Sequence, residues 1–147
     1  MGGQFEAVVE VGRPVAEVLA FLADGRNAPK FSPRGQEIVR TPDAPTAVGT
    51  VVAGTVKDAG MKSHREFGVT ESDPPNRIRW TEQSKNPVTA EGGYDLQPVS
   101  ETTTRVRSFD HLEGHGLGKL LAGLALSAAR KDAPAFGLRI KAAVEAS

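Results

Sequence analysis

The sequence has no cysteine among its 147 residues. Without cysteine the chain can form no disulfide and offers no thiol nucleophile, and zinc sites built on thiolates are excluded as well. Its stability must therefore come from a packed core, and a chain of this length is long enough to bury one. We expect a single domain that spans residues 1–147.

An excess of charge and a long hydrophobic run are also absent. The 18 Lys and Arg residues balance the 18 Asp and Glu residues, which argues against nucleic acid as a partner. No segment approaches the roughly 20 apolar residues of a membrane-spanning helix, and residues 1–10 lack the basic and apolar stretches of a secretory signal. We expect a cytoplasmic protein that does not insert into a membrane.

The longest periodic pattern lies at the end of the chain. Apolar residues recur there at about the 3.6-residue period of a helix with one buried face, namely Leu117, Leu120, Leu121, Leu124, Ala128, Phe136, Ile140 and Val144. We expect this face to cover a sheet, with a kink near Asp132 because Pro134 interrupts the pattern. Small residues in the same segment leave space between helix and sheet, which predicts a cavity there; they are Ala122, Gly123, Ala125 and Ala128.

Strands dominate the chain before this helix. A first strand from Phe5 to Val11 leads into a short helix over residues 15–22 and a brief helical turn over residues 27–33. Six further strands are predicted at residues 36–40, 50–56, 62–71, 77–83, 89–98 and 103–112, with turns that include residues 58–60 and 73–76. Connections this short favour an antiparallel meander. The fold class is therefore α+β, with about seven strands, two short helices after the first strand and a long C-terminal helix.

Several short passages, in a fixed order, carry a family resemblance. They are residues 11–24, where a strand leads through Pro14 into a short helix; Val48-Gly-Thr50; residues 69–80, ending in Arg-Ile-Arg-Trp; Tyr94-Asp-Leu-Gln-Pro98; and Thr104-Arg-Val106. Together they resemble the START-like (SRPBCC) superfamily, which includes pollen allergens, lipid-transfer domains and polyketide cyclase/dehydrase-like proteins. The resemblance covers nearly the whole chain and implies the helix-grip fold, a curved antiparallel sheet that grips the last helix around an apolar pocket. Members include binders, carriers and enzymes, so the fold does not decide the function.

Strand parity predicts which side chains face that pocket, because residues two apart share a face. In the fourth strand Phe67 sets the inner face, and in the fifth strand Trp80 does so. Tyr94 sets the inner face of the sixth strand. The predicted pocket walls are Phe31, Phe67, Trp80, Tyr94, Leu120 and Leu124. For each aromatic residue, ordinary core packing is the competing interpretation.

The same parity brings two charged residues inward. Arg65 shares a face with Phe67, and Glu82 shares a face with Trp80. Buried charges are rare unless they are paired, so an Arg65–Glu82 ion pair inside the pocket would orient a polar group of the ligand. A bulge or a strand end at these positions would instead place both side chains in water.

The seventh strand contains a conflict between two parities. Val106 and Leu112 turn Asp110 inward, whereas Phe109 turns His111 inward. A bulge between Val106 and Phe109 would reconcile them. If the pocket is catalytic, the candidates are Asp110 or His111 as acid or base and Tyr94 as a donor to a carbonyl oxygen.

Two motif-like passages do not meet the requirements of the sites they resemble. His111-Leu-Glu-Gly-His115 has neither the order nor the helical setting of a zinc-protease site, and the passage that ends at Lys119 lacks the spacing of a phosphate-binding loop. We expect neither a metal nor a cofactor.

The leading interpretation is a domain that binds, and in the carrier case transports, an apolar small molecule such as a lipid, an isoprenoid or a polyketide. The first alternative is a polyketide cyclase/dehydrase-like enzyme that uses the same pocket. The second is a protein-interaction module of the co-chaperone type, which predicts an apolar patch on the outer face of the sheet, where Arg77, Arg79 and Arg105 are expected instead. The sequence leaves open whether the chain forms a homodimer.

Overall fold

The computed structural model describes residues 2–32, 35–58 and 61–147. In these ranges the chain forms seven strands, two α-helices and one 3-10 helix. The strands are β1 (Gly2–Val11), β2 (Gly35–Thr41), β3 (Val51–Asp58), β4 (Met61–Asp73), β5 (Arg77–Glu82), β6 (Val88–Ser100) and β7 (Thr103–Gly114). The helices are α1 (Val15–Ala23), the 3-10 helix Gly25–Lys30 and α2 (Gly118–Glu145).

The strands form one curved antiparallel sheet in the order β1-β7-β6-β5-β4-β3-β2. From β2 to β7 each strand pairs with its neighbour in the chain, and β1 pairs with β7. The predicted α+β helix-grip architecture is confirmed. Two predicted features extend beyond the described residues: the turn at 58–60 includes residues 59 and 60, and the helical turn at 27–33 includes residue 33.

Helix α2 lies across the sheet and packs mainly against β1 and β7. Its buried face consists largely of small residues, so that the helix can approach the strands closely. At Gly137, for example, an added Cβ would lie only 3.5 Å from the Cβ of Val9. The buried residues of α2 are Gly118, Ala122, Ala133, Gly137, Ile140 and Val144.

Leu117, just before α2, and Leu120, Leu121 and Leu124 in its first half lie on the opposite face, and their predicted burial is wrong. Leu117 is 95% exposed, Leu120 is 74% exposed, and Leu121 and Leu124 are also exposed. At 100° per residue, the stripe of Leu120 and Leu124 points away from the stripe of Ala122 and Ala133. The physical reason is the close approach of helix and sheet, which small residues permit on most of the α2 face; Leu126 is accommodated there because it lies against Gly3 of β1. The helix continues through Pro134 to Glu145.

A continuous core joins α1, the sheet and the second half of α2. Val11, Val18 and Val106 are completely buried there together with Ile140 and Val144 of α2. Among the described residues, no helix is long and apolar enough to cross a lipid bilayer.

The two faces of α2 should respond differently to truncation. Ile140→Ala removes a completely buried side chain and should lower the free energy of unfolding by about 2–5 kcal/mol. Leu124→Ala removes a side chain that is 63% exposed and should change that free energy by less than about 0.5 kcal/mol. Urea unfolding followed by circular dichroism measures both. Equal losses would contradict this orientation of the helix.

Candidate functional site

A cavity of about 290 Å³ lies on the inner face of the sheet. Strands β2 to β6 form its floor and sides, and α1 with the 3-10 helix forms its roof. Its predominantly apolar lining comes from Leu22, Ala23, Ala28, Phe31, Ile38, Val52, Val56, Phe67, Val69, Ile78, Trp80, Ala90 and Tyr94, with Asp24, Gly25, Ser32, Gly35 and Asp110 beside them. Four of the predicted wall residues, Phe31, Phe67, Trp80 and Tyr94, are therefore brought together.

This first cavity does not lie between the sheet and the C-terminal helix, where the sequence predicts one, since no residue of α2, all of which the structure describes, lines it. The second cavity, described below, is lined by residues of both the sheet and α2. Leu120 and Leu124, the remaining predicted wall residues, are on the exposed face of α2. Because α2 packs closely against β1 and β7, the space is left over β2 to β6, where the 3-10 helix covers it.

The roof is attached at both ends. At its start, Asp24 accepts hydrogen bonds from the backbone and guanidinium of Arg26, and this side-chain hydrogen bond lowers the pKa of Asp24. At its end, the Nε of Arg139 on α2 donates to the carbonyl oxygen of Phe31 at 3.0 Å. Gly25 touches the sheet, since a Cβ there would lie 2.7 Å from a methyl group of Val52. The sequence predicts a helical turn in this part of the chain, but not that it covers the cavity.

A second cavity of about 370 Å³ adjoins the first. Ser32 and Asp110 line both spaces. Helix α2 contributes to this second cavity, which is lined by Phe5, Ser32, Asp110, Ala129, Asp132, Phe136 and Arg139. The polar side chains are thus gathered in the second space, next to an apolar first space.

Tyr94 supplies a polar group inside the apolar cavity. Its ring lies edge-on to Trp80, with ring centroids 5.1 Å apart. Burial raises the pKa of the phenol well above its ordinary value, and the charge of Asp110 raises it further. The hydroxyl makes no hydrogen bond within the described part of the chain. At neutral pH it is therefore a neutral donor available to a bound molecule.

The register of β7 decides between Asp110 and His111. Pairing with β1 and β6 is continuous from Thr104 to Glu113, so the predicted bulge between Val106 and Phe109 is wrong. Asp110 faces the cavities, while His111 is on the other face of the sheet with its Nε2 3.3 Å from a carboxylate oxygen of Glu113. His111 therefore lines neither cavity, and of the two alternatives the structure selects Asp110.

The alternation of side chains along β7 left open that Phe109 faces the pocket. The structure places this aromatic residue on the outer face of the sheet. Two guanidinium groups contact its ring, that of Arg79 at 4.7 Å and that of Arg107 at 4.4 Å from the ring centroid. Both arginines also bind Asp95, at 2.7 and 2.9 Å. Cation–π contacts of this kind hold an aromatic ring against a charged surface.

Arg65 and Glu82 form the predicted ion pair, with 3.0 Å between Nη1 and Oε1. The Glu82 side chain is 0% exposed, so the alternative that both lie in water is wrong. Neither residue lines the cavity, however. The Glu82 carboxylate also accepts from the Ser84 hydroxyl at 2.6 Å, the Asn86 amide at 2.8 Å and the Ala90 backbone at 3.0 Å. It is thus occupied in fixing the β5–β6 connection, a role that the sequence did not reveal.

In the described ranges, no group of three or more His, Asp or Glu side chains could hold a metal ion. The polar side chains in the lining of the first cavity are those of Asp24, Ser32, Tyr94 and Asp110.

Glu82→Gln should destabilise the protein by about 3 kcal/mol, because it leaves the charge of Arg65 without its partner and turns an acceptor into a donor. Glu71→Gln is the matched control, since Glu71 and Arg77 form a half-exposed pair at 3.4 Å; its cost should stay below about 1 kcal/mol. Urea unfolding measures both changes. A small loss for Glu82→Gln would show that the network contributes little to folding.

Tyr94 should resist ionisation in the folded protein. The unfolded phenol ionises near its ordinary pKa of about 10, whereas the folded pKa is higher. The stability contributed by the neutral phenol is therefore complete below about pH 10 and is lost as the pH rises above it. Tyr94 is the one tyrosine of the chain, so its near-ultraviolet absorbance can be followed alone beside circular dichroism. Tyrosinate that appears near pH 10 in the folded protein would contradict this assignment, and Tyr94→Phe provides the blank.

Known protein structures share the fold described above. Solved structures with the same fold include the Zhui aromatase/cyclase from Streptomyces sp. R1128, with a TM-score of 0.78 and 15% identity over 99% of this chain and 93% of that chain. A protein from Thermus thermophilus has a TM-score of 0.77 and 18% identity over 98% of both chains. A START superfamily protein from Mycobacterium smegmatis has a TM-score of 0.70 and 15% identity over 97% of this chain and 94% of that chain.

At these identities the structural likeness shows the fold alone. No curated protein sequence matches the chain. The model of the family described as polyketide cyclase/dehydrase and lipid transport matches residues 3–145. The chain therefore belongs to the polyketide cyclase/dehydrase and lipid transport family.

Proposed function

We propose that the protein binds an apolar small molecule in the cavity beneath the 3-10 helix. The observation that carries this proposal is a preformed space of about 290 Å³ whose walls are apolar apart from a few polar groups. Its volume is near the lower end of the usual range for small-molecule sites. Burial of ligand surface drives binding at about 25 cal/mol per Å². Lipids, isoprenoids and aromatic polyketides are the candidate classes.

The hydroxyl of Tyr94 favours a ligand that carries an oxygen atom able to accept a hydrogen bond. The neutral phenol donates a hydrogen bond to a carbonyl or hydroxyl oxygen placed above Trp80. An anionic group at the same place is disfavoured, because the carboxylate charge of Asp110 that raises the pKa of Tyr94 would also repel it. A ligand longer than the first cavity extends past Ser32 and Asp110 into the second.

A second candidate function is proton transfer at a carbon next to a carbonyl, as in the cyclisation of a polyketide. It is supported by the presence of a phenol donor and a carboxylate in one cavity lining. Tyr94 would hold the carbonyl oxygen, and Asp110 would take a proton from the adjacent carbon and return it to another atom. His111 has no part in this scheme, since it lies on the outer face.

Binding can be tested with a matched pair of flat ligands, 2-acetylnaphthalene and naphthalene. Trp80 is the one tryptophan of the chain and lines the cavity, so its fluorescence and calorimetry both report binding. Tyr94→Phe should weaken the ketone about five- to tenfold and leave naphthalene nearly unchanged, because a neutral hydrogen bond contributes about 1 kcal/mol. An equal loss for both ligands would contradict the donor role of Tyr94.

Ala90→Phe, which fills the first cavity, should abolish binding of both ligands. Ala53→Phe on the neighbouring strand β3 is the control, since Ala53 does not line the cavity. Native mass spectrometry of the freshly purified protein then identifies any small molecule that remains bound to it. If Ala90→Phe remains folded and binds both ligands unchanged, the proposed site is wrong.

The catalytic alternative needs a different measurement. In deuterated water, the protein should accelerate exchange of the methyl protons next to the carbonyl of 2-acetylnaphthalene, as followed by NMR. Asp110→Asn should reduce this acceleration by a factor of about 100 or more while binding is retained, and His111→Asn should not reduce it. If the protein binds the ketone without accelerating this exchange, the binding function is supported and proton transfer on this ketone is excluded.

A further inference from the structure

The first half of α2 exposes an apolar surface that the cavity does not explain. Leu117, Leu120, Leu121 and Leu124, here called the leucine face, lie along one side of the helix and are all more than half exposed. The opposite side of the helix is already buried against the sheet through Gly118 and Ala122. Four adjacent leucines in water are costly unless a partner covers them, and contiguous exposed apolar surface of this kind is typical of interaction sites.

The charges of this segment are of one sign. Between Gly114 and Lys131 the chain has no Asp or Glu, while it has Lys119, Arg130 and Lys131. All three cationic residues are exposed, and Arg130 also donates a hydrogen bond to the carbonyl oxygen of Gln4 on β1 at 3.0 Å. Acidic residues occur only at the two ends of this segment, at Glu113 and Asp132, and Asp132 is paired with Arg139 at 2.7 Å. The leucine face thus shares its segment with cations only, within a protein whose formal net charge is zero.

This combination distinguishes between two ways of covering the leucines. A second copy of the chain would bring cationic borders together, and the segment offers no carboxylate to pair with them. An anionic lipid surface accepts both features, since leucines enter the interface and long cationic side chains reach the head groups. We propose that the leucine face of α2 docks on the surface of a bilayer that contains anionic phospholipids. The helix lies in the plane of the interface and does not cross it.

The proposal is independent of what the cavity binds, because none of the four leucines lines either cavity. It predicts binding of the intact protein to vesicles of phosphatidylcholine with phosphatidylglycerol, and much weaker binding to vesicles of phosphatidylcholine alone. Cosedimentation at low and at high salt measures both. High salt should weaken binding, because it screens the attraction between the cations and the lipid.

Paired variants identify the surface. Leu120→Gln with Leu124→Gln should weaken binding to anionic vesicles about tenfold or more, since both leucines lose their apolar contribution. Val39→Gln is the matched control, because Val39 is nearly as exposed as Leu124 but lies on β2, at the edge of the sheet away from α2. Lys119→Glu with Lys131→Glu should weaken binding by a similar factor, whereas Lys57→Glu on β3 should not.

Three results would overturn the proposal. The first is equal binding of the wild type to neutral and anionic vesicles, and the second is equal loss in the Val39→Gln control. The third is a stable dimer in sedimentation equilibrium that Leu120→Gln with Leu124→Gln converts to a monomer, which would assign the face to a second copy. Circular dichroism of each variant confirms that the substitutions, all at exposed positions, leave the fold intact.

Discussion

The close contact between the small-residue face of α2 and strand β1 determines the rest of the structure. At Gly137 the helix backbone lies near Val9 and leaves room for little more than a methyl group. The apolar cavity therefore lies beside the helix, over β2 to β6, where the 3-10 helix Gly25–Lys30 covers it. Of the two cavities, only the second extends to α2, at Ala129, Asp132, Phe136 and Arg139. The same close contact turns Leu120 and Leu124 outward.

A second feature of the structure is the pairing of charged groups around the cavity. Charged groups near the inner face are occupied by partners, as Glu82 is by Arg65, Ser84 and Asn86. On the outer face, Asp95 binds two arginines that also enclose Phe109. Such pairing reduces the cost of charges in or near a low-dielectric interior. The first cavity brings the neutral Tyr94 phenol together with the Asp24 and Asp110 side chains in a lining that is otherwise largely apolar.

The sheet, its strand order and most inward-facing side chains could be predicted from the sequence. Side chains alternate between the two faces of a strand, and short turns join neighbouring antiparallel strands, so few alternative arrangements remain. Phe67, Trp80 and Tyr94 illustrate this, since parity alone placed them in the cavity. Parity failed at Phe109, where stacking between two arginines keeps an aromatic ring on the outer face. Hydrophobic periodicity failed at Leu120 and Leu124, because α2 carries two apolar faces and the pattern does not say which one packs. Residue size would have indicated it, since the face of alanines and glycines permits the closer contact.

The outward leucines and the cavity are compatible with a single physical account. An apolar ligand is poorly soluble in water, and a protein that binds one must meet it where it is concentrated, which for lipids and isoprenoids is a membrane surface. Docking would place the first half of α2 at that surface, while the second half of the same helix lines the second cavity through Asp132 and Arg139. Arg139 connects the two regions directly, since it binds Asp132 on its own helix and the backbone of Phe31 at the end of the roof. A displacement of α2 at a membrane would thus act on the hydrogen bond that fixes the roof, and the residue whose carbonyl accepts that bond also forms a wall of the cavity.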